Sequence, residues 1–303
     1  MSAHMDAGVR VYEVGPRDGL QAEARVVPTA AKLRFVDLLA DAGLRDIEAT
    51  SLVSPAAVPQ LADADDLLAR LSRRPGVRYP VLVPNRRGME RAIAGGVEAI
   101  CLFTAATDGY AQHNIQMTVA ESLAAFAPLA AEAHQRGWWV RGYLSTAFGC
   151  PYEGEVDARR VVEVAEALLA LGVDELSVSD TVGMAAPADV RRVVGALAAS
   201  GIAGSRLALH LHDTRGTALA NVVTALELGI RTFDASTGGT GGSPFAPGAV
   251  GNLATEDLVY LLDREGLRHG VDLDAVLTAA RFIADALGQP LASKVGRAGG
   301  WPR

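Results

Sequence analysis

Short apolar runs alternate with amphipathic stretches along this chain of 303 residues, and this alternation limits the fold more than any other feature. The runs have the length and composition of buried strands. The predicted strands are 10–14, 46–49, 79–83, 99–103, 140–144, 175–179, 207–212 and 232–236. The stretches that lie between them have apolar residues at helical spacing. The predicted helices are 29–42, 63–72, 87–94, 118–135, 157–171, 187–199 and 218–228.

Glycines mark the ends of several predicted helices. Gly43, Gly172, Gly201 and Gly229 each follow a helical stretch and precede an apolar run, as C-cap glycines do. Eight predicted strands that alternate with predicted helices, without a break in composition, predict an α/β protein with a single (β/α)8 TIM barrel. A doubly wound sheet is the alternative, but it would normally carry a glycine-rich phosphate loop after its first strand. The turn at 15–19, GPRDG, lacks that motif.

The barrel domain is predicted to cover residues 9–298. Two further helices, at 256–264 and 273–287, follow the eighth predicted strand and extend the barrel at its C-terminal side. Residues 1–8 are expected to be a disordered N-terminus or a cloning remnant, and residues 299–303 a loose tail.

Composition excludes several classes of function. The net charge of −7 argues against nucleic acid as a partner. Two cysteines provide neither a disulfide framework nor a thiolate metal site. No apolar run approaches the length of a membrane helix, and the first residues lack the pattern of a signal peptide. We therefore expect a cytoplasmic protein without a membrane partner.

Two histidines in the seventh predicted strand form the first candidate site. His210 and His212 are two residues apart, so in a strand both side chains point to the same face. Leu209 and Leu211 would then pack on the opposite face. Neutral imidazole is the commonest metal ligand, and a strand holds both rings in place. The alternative is a half-buried strand with two hydrogen-bonded histidines.

Other polar side chains follow the predicted strands at the end where barrel enzymes have their active sites. Arg17 and Asp18 come after the first strand, where a simple salt bridge in a turn is the alternative. Glu48 lies inside the second strand, and a buried carboxylate needs a partner such as Arg17 or a polar pocket. Asp180 follows the sixth strand.

A glycine-rich segment follows the eighth predicted strand. Six glycines lie between Gly238 and Gly251, which is typical of a lid over the barrel mouth, of a phosphate loop or of a flexible surface connection. Asn252 then offers a carbonyl oxygen. Together, the candidate ligands form a mixed nitrogen and oxygen set that suits Mg²⁺ or Mn²⁺ with positions open for substrate. These ligands are Asp18, His210, His212 and Asn252.

Five motifs lie along the chain. They are EVGPRDGLQ at 13–21, RGY at 141–143, GCPYEG at 149–154, HLHDTRG at 210–216 and GNLATEDLVY at 251–260. These motifs resemble the 3-hydroxy-3-methylglutaryl-CoA lyase family of metal-dependent TIM-barrel lyases. The resemblance extends from about residue 9 to residue 295. It implies the same four metal ligands, stabilisation of an enolate oxygen by Arg17, and support from Glu48 and Asp180. It also implies a homodimer and substrate contacts from Arg17, Gln21, Ser51 and Tyr143.

The chain departs from the family pattern at three positions. Ser243 occupies the position of the family's lid cysteine, which is expected to act in proton transfer. A thiol exchanges protons near neutrality, whereas a serine hydroxyl is weak without an adjacent base. The family tends to have Asn and Lys near the positions of Ala22 and Ala24. The resemblance implies that these positions lie towards the coenzyme A end of the substrate.

The sequence therefore predicts a metal-dependent carbon–carbon lyase that acts on a 3-hydroxyacyl thioester, with coenzyme A as the expected carrier. The expected catalytic residues are Arg17, Glu48, Asp180, His210 as the base, and Ser243. One alternative is a related aldolase or condensing enzyme with another acyl chain or a carrier-protein substrate. The other is a barrel that binds metal without catalysis.

Overall fold

The computed structural model describes residues 8–242, 251–290 and 292–300. In this part of the chain, parallel strands form one sheet, and every pair of neighbouring strands is parallel. The strands are β1 (Arg10–Glu13), β2 (Asp46–Ile47), β3 (Thr50–Ser51), β4 (Val81–Leu82), β5 (Ala99–Ala105), β6 (Trp139–Ser145), β7 (Glu175–Asp180), β8 (Leu207–Leu211) and β9 (Thr232–Ala235).

The sheet closes on itself because β2 and β3 are two parts of one barrel strand. β2 pairs with β1, and β3 pairs with β4. Between them the ladder continues, since the N–H of Glu48 donates to the carbonyl of Glu13 at 2.8 Å and the N–H of Ala49 donates to that of Pro80 at 2.9 Å. The nine segments are therefore eight strands of a closed barrel, and the predicted TIM barrel is confirmed.

Helices surround this barrel. They are α1 (Thr29–Asp41), α2 (Ala64–Arg70), α3 (Arg86–Ala94), α4 (Asp108–Ile115), α5 (Val119–Gln135), α6 (Ala158–Ala170), α7 (Pro187–Ala199), α8 (Ala218–Glu227), α9 (Thr255–Arg264), α10 (Leu273–Leu287) and α11 (Lys294–Ala298). The predicted helices agree with the structure to within a few residues at each end. Helices α9 and α10 are the predicted C-terminal additions.

Two helices were not predicted from the sequence. α4 has the sequence DGYAQHNI, which lacks a continuous apolar stripe, so its periodicity gives little sign of a helix. It begins where the hydroxyl of Thr107 accepts the N–H of Tyr110 at 3.4 Å. α11 has five residues and is too short for a periodic pattern.

The two faces of each strand have different surroundings. Leu209 and Leu211 are buried in the apolar core that lies between the barrel and its helices, as predicted. Inside the barrel, the fully buried Arg141 lies over the ring of Tyr12, with its guanidinium carbon 3.7 Å from the ring centroid. The interior of the barrel therefore contains buried polar side chains. Among the described helices, none is both long enough and apolar enough to cross a membrane.

Candidate active site

A tight turn at the end of β1 places Arg17 and Asp18 at the barrel mouth. Residues Gly15–Gly19 form a single π-helical turn. The carbonyl of Val14 accepts the N–H groups of Arg17, Asp18 and Gly19 at 3.1, 2.8 and 3.1 Å. The turn directs the Arg17 side chain inwards, and Arg17 is only 6% exposed.

Arg17 is held by the buried carboxylate of Glu48. Its Nε donates to Glu48 Oε1 at 2.7 Å and its Nη2 to Oε2 at 3.2 Å, which is a two-point contact. The hydroxyl of Tyr143 also donates to Glu48 Oε2, at 2.5 Å. Burial, and then the neighbouring Glu48, raise the pKa of Tyr143 well above its ordinary value, so the phenol stays a donor. The predicted pairing of Glu48 with Arg17 is confirmed, and Tyr143 completes it.

The two histidines meet Asp18 at one point. Nε2 of His210 lies 3.1 Å from Nε2 of His212 and 3.9 Å from Oδ2 of Asp18. One ligand atom from each of these three residues lies within 4.8 Å of the others. Arg17 also contacts Asp18 through Nη1. This is a possible metal-binding triad at the mouth of the barrel.

Asn252 joins this triad through the backbone. His212 and Asn252 form an isolated antiparallel bridge, and the N–H of Leu253 donates to the carbonyl of Leu211 at 2.9 Å. A Cβ on Gly251 would lie 1.9 Å from the carbonyl oxygen of Gly241, so only glycine allows this approach. Nδ2 of Asn252 donates to Asp18 Oδ2 at 2.9 Å.

The triad and Asn252 fit a divalent cation. Burial, and then His210, lower the pKa of His212 to about 3, so its ring is neutral and has a lone pair. Burial would raise the pKa of Asp18, but Arg17 and the two imidazoles hold it below its ordinary value. Oδ1 of Asn252 and Nδ1 of His212 are buried without a hydrogen-bond partner. The side-chain carbonyl oxygen of Asn252, the carboxylate and the two imidazoles are together the kinds of donor that suit a divalent metal.

A cavity of about 610 Å³ lies over the triad. The predicted site residues that line it are Arg17, Asp18, Gln21, Tyr143, His210 and His212. Opposite the triad the cavity reaches side chains of α4, a helix that was not predicted from the sequence. Among these, His113 and Asn114 are exposed, so the cavity opens to solvent there.

Three predicted residues lie behind or beside the cavity wall. Glu48 is fully buried behind Arg17. The carboxylate of Asp180 accepts the N–H groups of Met184 and Ala185 at 2.8 and 3.0 Å, so it holds the turn after β7. Burial raises the pKa of Asp180 to about 6. Ser51 is fully buried in β3 and does not line the cavity. Its substrate contact stays a prediction.

Ser243 lies outside the residues that the structure describes, as does most of the predicted lid. On the described side, Gly238, Gly239 and Gly241 have positive φ angles, which glycine adopts without strain.

Asp234 in β9 was not among the residues predicted from the sequence. Its Oδ2 lies 3.2 Å from Nδ1 of His210, and Arg141 donates to Oδ1 at 2.6 Å. Burial would raise the pKa of Asp234, but Arg141 and then His210 keep it below its ordinary value. An acidic residue inside a predicted apolar strand was the available signal, the same one that indicated Glu48.

The chain is similar over most of its length to proteins of one family. A family model described as HMGL-like matches residues 8–283. The hydroxymethylglutaryl-CoA lyase of Bacillus subtilis is 46% identical over 286 residues, which cover 94% of this chain and 95% of that protein. The solved hydroxymethylglutaryl-CoA lyase of Pseudomonas aeruginosa is 43% identical with a TM-score of 0.94, covering 97% of this chain and 98% of that one.

An HMG-CoA lyase from Acinetobacter baumannii, solved in complex with coenzyme A and 3-methylmalate, is 39% identical with a TM-score of 0.92. The match covers 99% of this chain and 97% of that one. These similarities show a carbon–carbon lyase, and the family they define is metal-dependent. The chain belongs to the HMGL-like family.

Proposed function

We propose that this protein cleaves 3-hydroxy-3-methylglutaryl-CoA, or a close analogue, into acetyl-CoA and acetoacetate. The observation that carries the proposal is the position of the triad and Arg17 in the wall of one solvent-open cavity. One group of side chains can hold a metal, and a neighbouring cation can stabilise developing negative charge. The relatives described above bear the name of this reaction.

The residues proposed to hold the metal, Mg²⁺ or Mn²⁺, are Asp18, His210, His212 and Asn252. When bound, the divalent cation supplies Lewis acidity that makes the substrate hydroxyl a stronger acid. The bond between C2 and C3 then breaks. C3 becomes the ketone carbon of acetoacetate, and C2 becomes the enolate carbon of acetyl-CoA, which takes up one proton.

Arg17 is proposed to stabilise the enolate. Its guanidinium lines the cavity and is held by Glu48 on one side and Asp18 on the other. A cation that is already fixed in position needs little reorganisation when negative charge develops on the thioester oxygen. Glu48 and Tyr143 are proposed to keep Arg17 in this position. Gln21, at the edge of the cavity, is proposed to contact the substrate.

His210 has one nitrogen available for the reaction, because its Nδ1 faces Asp234. That nitrogen, Nε2, cannot hold a cation and accept the hydroxyl proton at the same time. We therefore assign Nε2 to the metal and propose that the proton leaves to water in the open cavity. The enolate is likewise proposed to receive its proton from cavity water, because Ser243 stands where the family has a thiol.

Three finer points are part of the same proposal. The substrate is carried on coenzyme A, the protein forms a homodimer, and it is located in the cytoplasm. The resemblance supports the first two points. The acidic composition agrees with the third, as does the finding that no helix in the described part of the chain could cross a membrane.

A panel of thioesters tests the choice of substrate. The purified protein with Mg²⁺ or Mn²⁺ is incubated with 3-hydroxyacyl thioesters of different chain length, on coenzyme A and on a carrier protein, and products are identified by mass spectrometry. The proposal predicts the highest kcat/KM for 3-hydroxy-3-methylglutaryl-CoA. A higher value for a longer chain or for a carrier-protein thioester would support the related aldolase or condensing enzyme instead.

A further inference from the structure

Asp234 lies at the centre of a buried hydrogen-bond network inside the barrel. Its carboxylate is fully buried and has three partners. Arg141 donates to Oδ1 at 2.6 Å and to Oδ2 at 3.1 Å, and Ser177 Oγ donates to Oδ2 at 3.1 Å. The third partner, Nδ1 of His210, lies 3.2 Å from Oδ2.

Arg141 is fixed more firmly than a surface arginine. It is fully buried, its guanidinium lies over the ring of Tyr12, and its Nε lies 3.0 Å from Oε1 of Glu175. A two-point contact with such a guanidinium keeps the Asp234 carboxylate ionised and prevents it from rotating. The position of Asp234 is therefore set by the barrel itself and does not depend on a ligand.

An ionised carboxylate accepts hydrogen bonds and cannot donate one. Nδ1 of His210 must therefore carry the proton in this contact. In a neutral imidazole the other nitrogen then has the lone pair, and Nε2 of His210 faces His212 and Asp18. Without an acceptor at Nδ1, the ring could place its proton on Nε2, where a metal has to bind.

We propose that Asp234, held in place by Arg141, is a positioning residue that fixes His210 as the Nδ1–H tautomer and directs its Nε2 lone pair at the metal site. This inference rests on the metal site of the proposed function. A purely structural ion pair between Asp234 and Arg141 would affect the stability of the barrel but would leave the metal affinity and the tautomer of His210 unchanged.

The tautomer is measured directly in the metal-free wild-type protein. Nitrogen-15 NMR of the ring nitrogens distinguishes Nδ1–H from Nε2–H imidazole, and the His210→Gln variant identifies the signals of His210 among the six histidines. The inference predicts Nδ1–H for His210. A neutral ring protonated at Nε2 would overturn it, and this result does not depend on how any Asp234 variant folds.

Metal affinity is measured next, with Mn²⁺ titration followed by electron paramagnetic resonance. Asp234→Asn retains the size of the side chain but puts an amide donor against either Arg141 or His210. We expect its Mn²⁺ affinity to fall by about 10–100-fold, the usual effect of losing such a support. Ser177→Ala, the matched control, removes a neutral donor from the same oxygen and should bind Mn²⁺ like the wild type.

The possible results separate this inference from the proposed function. A folded Asp234→Asn variant that binds Mn²⁺ as tightly as the wild type would overturn the role of Asp234. If the wild type bound no Mn²⁺, the proposed metal site would be contradicted. In that case, or if Asp234→Asn failed to fold, the tautomer of His210 would still decide whether Asp234 positions its ring.

Discussion

Nε2 of His210 and Nε2 of His212 lie 3.1 Å apart at the carboxyl end of β8. The two rings come together because their residues are two positions apart in a strand. At this distance two lone pairs need a proton or a cation between them. Oδ2 of Asp18 lies 3.9 Å from Nε2 of His210, and Oδ1 of Asn252, its side-chain carbonyl oxygen, has no hydrogen-bond partner. A divalent cation would satisfy all of these atoms.

The first prediction concerns loss of the ligands. His210→Ala or Asp18→Ala should abolish turnover and lower the occupancy of divalent metal, because each removes one ligand from the triad. Both side chains are at the barrel mouth, away from the apolar core, so far-UV circular dichroism should not change. Metal content is measured by elemental analysis after dialysis.

A matched control for this prediction is His134→Ala. His134 lies in α5, is about one-third exposed, and has Nε2 3.8 Å from Asp174. This variant should keep both metal and activity. Full metal occupancy in the His210 and Asp18 variants would show that the metal site has been assigned to the wrong residues.

The second prediction separates metal binding from charge stabilisation. Arg17→Gln should leave the metal bound but lower kcat by about 10²–10³, the usual effect of removing one group that stabilises a developing oxyanion. Metal affinity and kcat are measured on the same preparation. An unchanged kcat would remove Arg17 from the mechanism.

Arg17→Gln should also destabilise the fold, because it leaves the buried carboxylate of Glu48 without its cation. Losing one partner of a buried pair costs roughly 3–5 kcal/mol. The double variant Arg17→Gln/Glu48→Gln removes the unpaired charge, so it should regain stability without regaining kcat. If stability and kcat recovered together, the loss of activity would be a consequence of misfolding.

The third prediction concerns Ser243. If the protein cleaves 3-hydroxy-3-methylglutaryl-CoA, Ser243→Cys should raise kcat, because a thiol exchanges protons nearer to neutrality than an unassisted hydroxyl. The matched control is Ser243→Ala, which should not show this gain. No gain from Ser243→Cys would favour an altered substrate, since a misplaced acyl chain alone can cost about 10²-fold in rate.

The fourth prediction concerns the pH dependence of stability. Burial raises the pKa of Glu256 from 4.5 to about 7. The folded state therefore binds this proton more tightly than the unfolded state does. The contribution of this tighter proton binding to the free energy of unfolding is complete below about pH 4.5 and is lost as the pH rises through about 7. In the fold, Glu256 accepts the N–H of Gly238 at 3.0 Å and the hydroxyl of Ser293 at 2.5 Å.

Glu256→Gln resembles the protonated carboxyl at every pH. Its Tm should therefore exceed that of the wild type at pH 8, and the difference should be small at pH 4.5. Glu265→Gln, at an exposed position after α9, is the control and should follow the wild type. A wild-type Tm that exceeds that of Glu256→Gln at pH 8 would mean that Glu256 is stable in its charged form.

Much of the fold can be predicted from the sequence because the chain repeats one unit. The apolar runs show where a strand is buried, and the amphipathic stretches show which face of a helix is buried. The same two patterns recur along the chain. Besides the five-residue α11, the exception is α4, where the sequence around Tyr110 and His113 has no apolar stripe. This helix contributes to the far wall of the cavity, so that part of the site could not be predicted either.

The candidate metal ligands could be proposed from the sequence because each lies in or after a predicted strand at the same end of the barrel. Glu48 was also expected to need Arg17, since few partners are available to a buried carboxylate. The contact of Asp234 with His210 was not predicted. It joins β8 to β9, while Arg141, which holds Asp234, is in β6, and the spacing of residues does not show which buried side chains meet across a barrel.

The central claim, metal-dependent cleavage of 3-hydroxy-3-methylglutaryl-CoA, is tested most directly by counting products. The wild-type protein is treated with EDTA, loaded again with Mg²⁺ or Mn²⁺, and incubated with this thioester, and acetyl-CoA and acetoacetate are quantified together. Our account predicts equal amounts of both products with metal, and neither product with EDTA alone or from the His210→Ala variant. A metal-loaded, folded wild-type protein that leaves the thioester intact would contradict it.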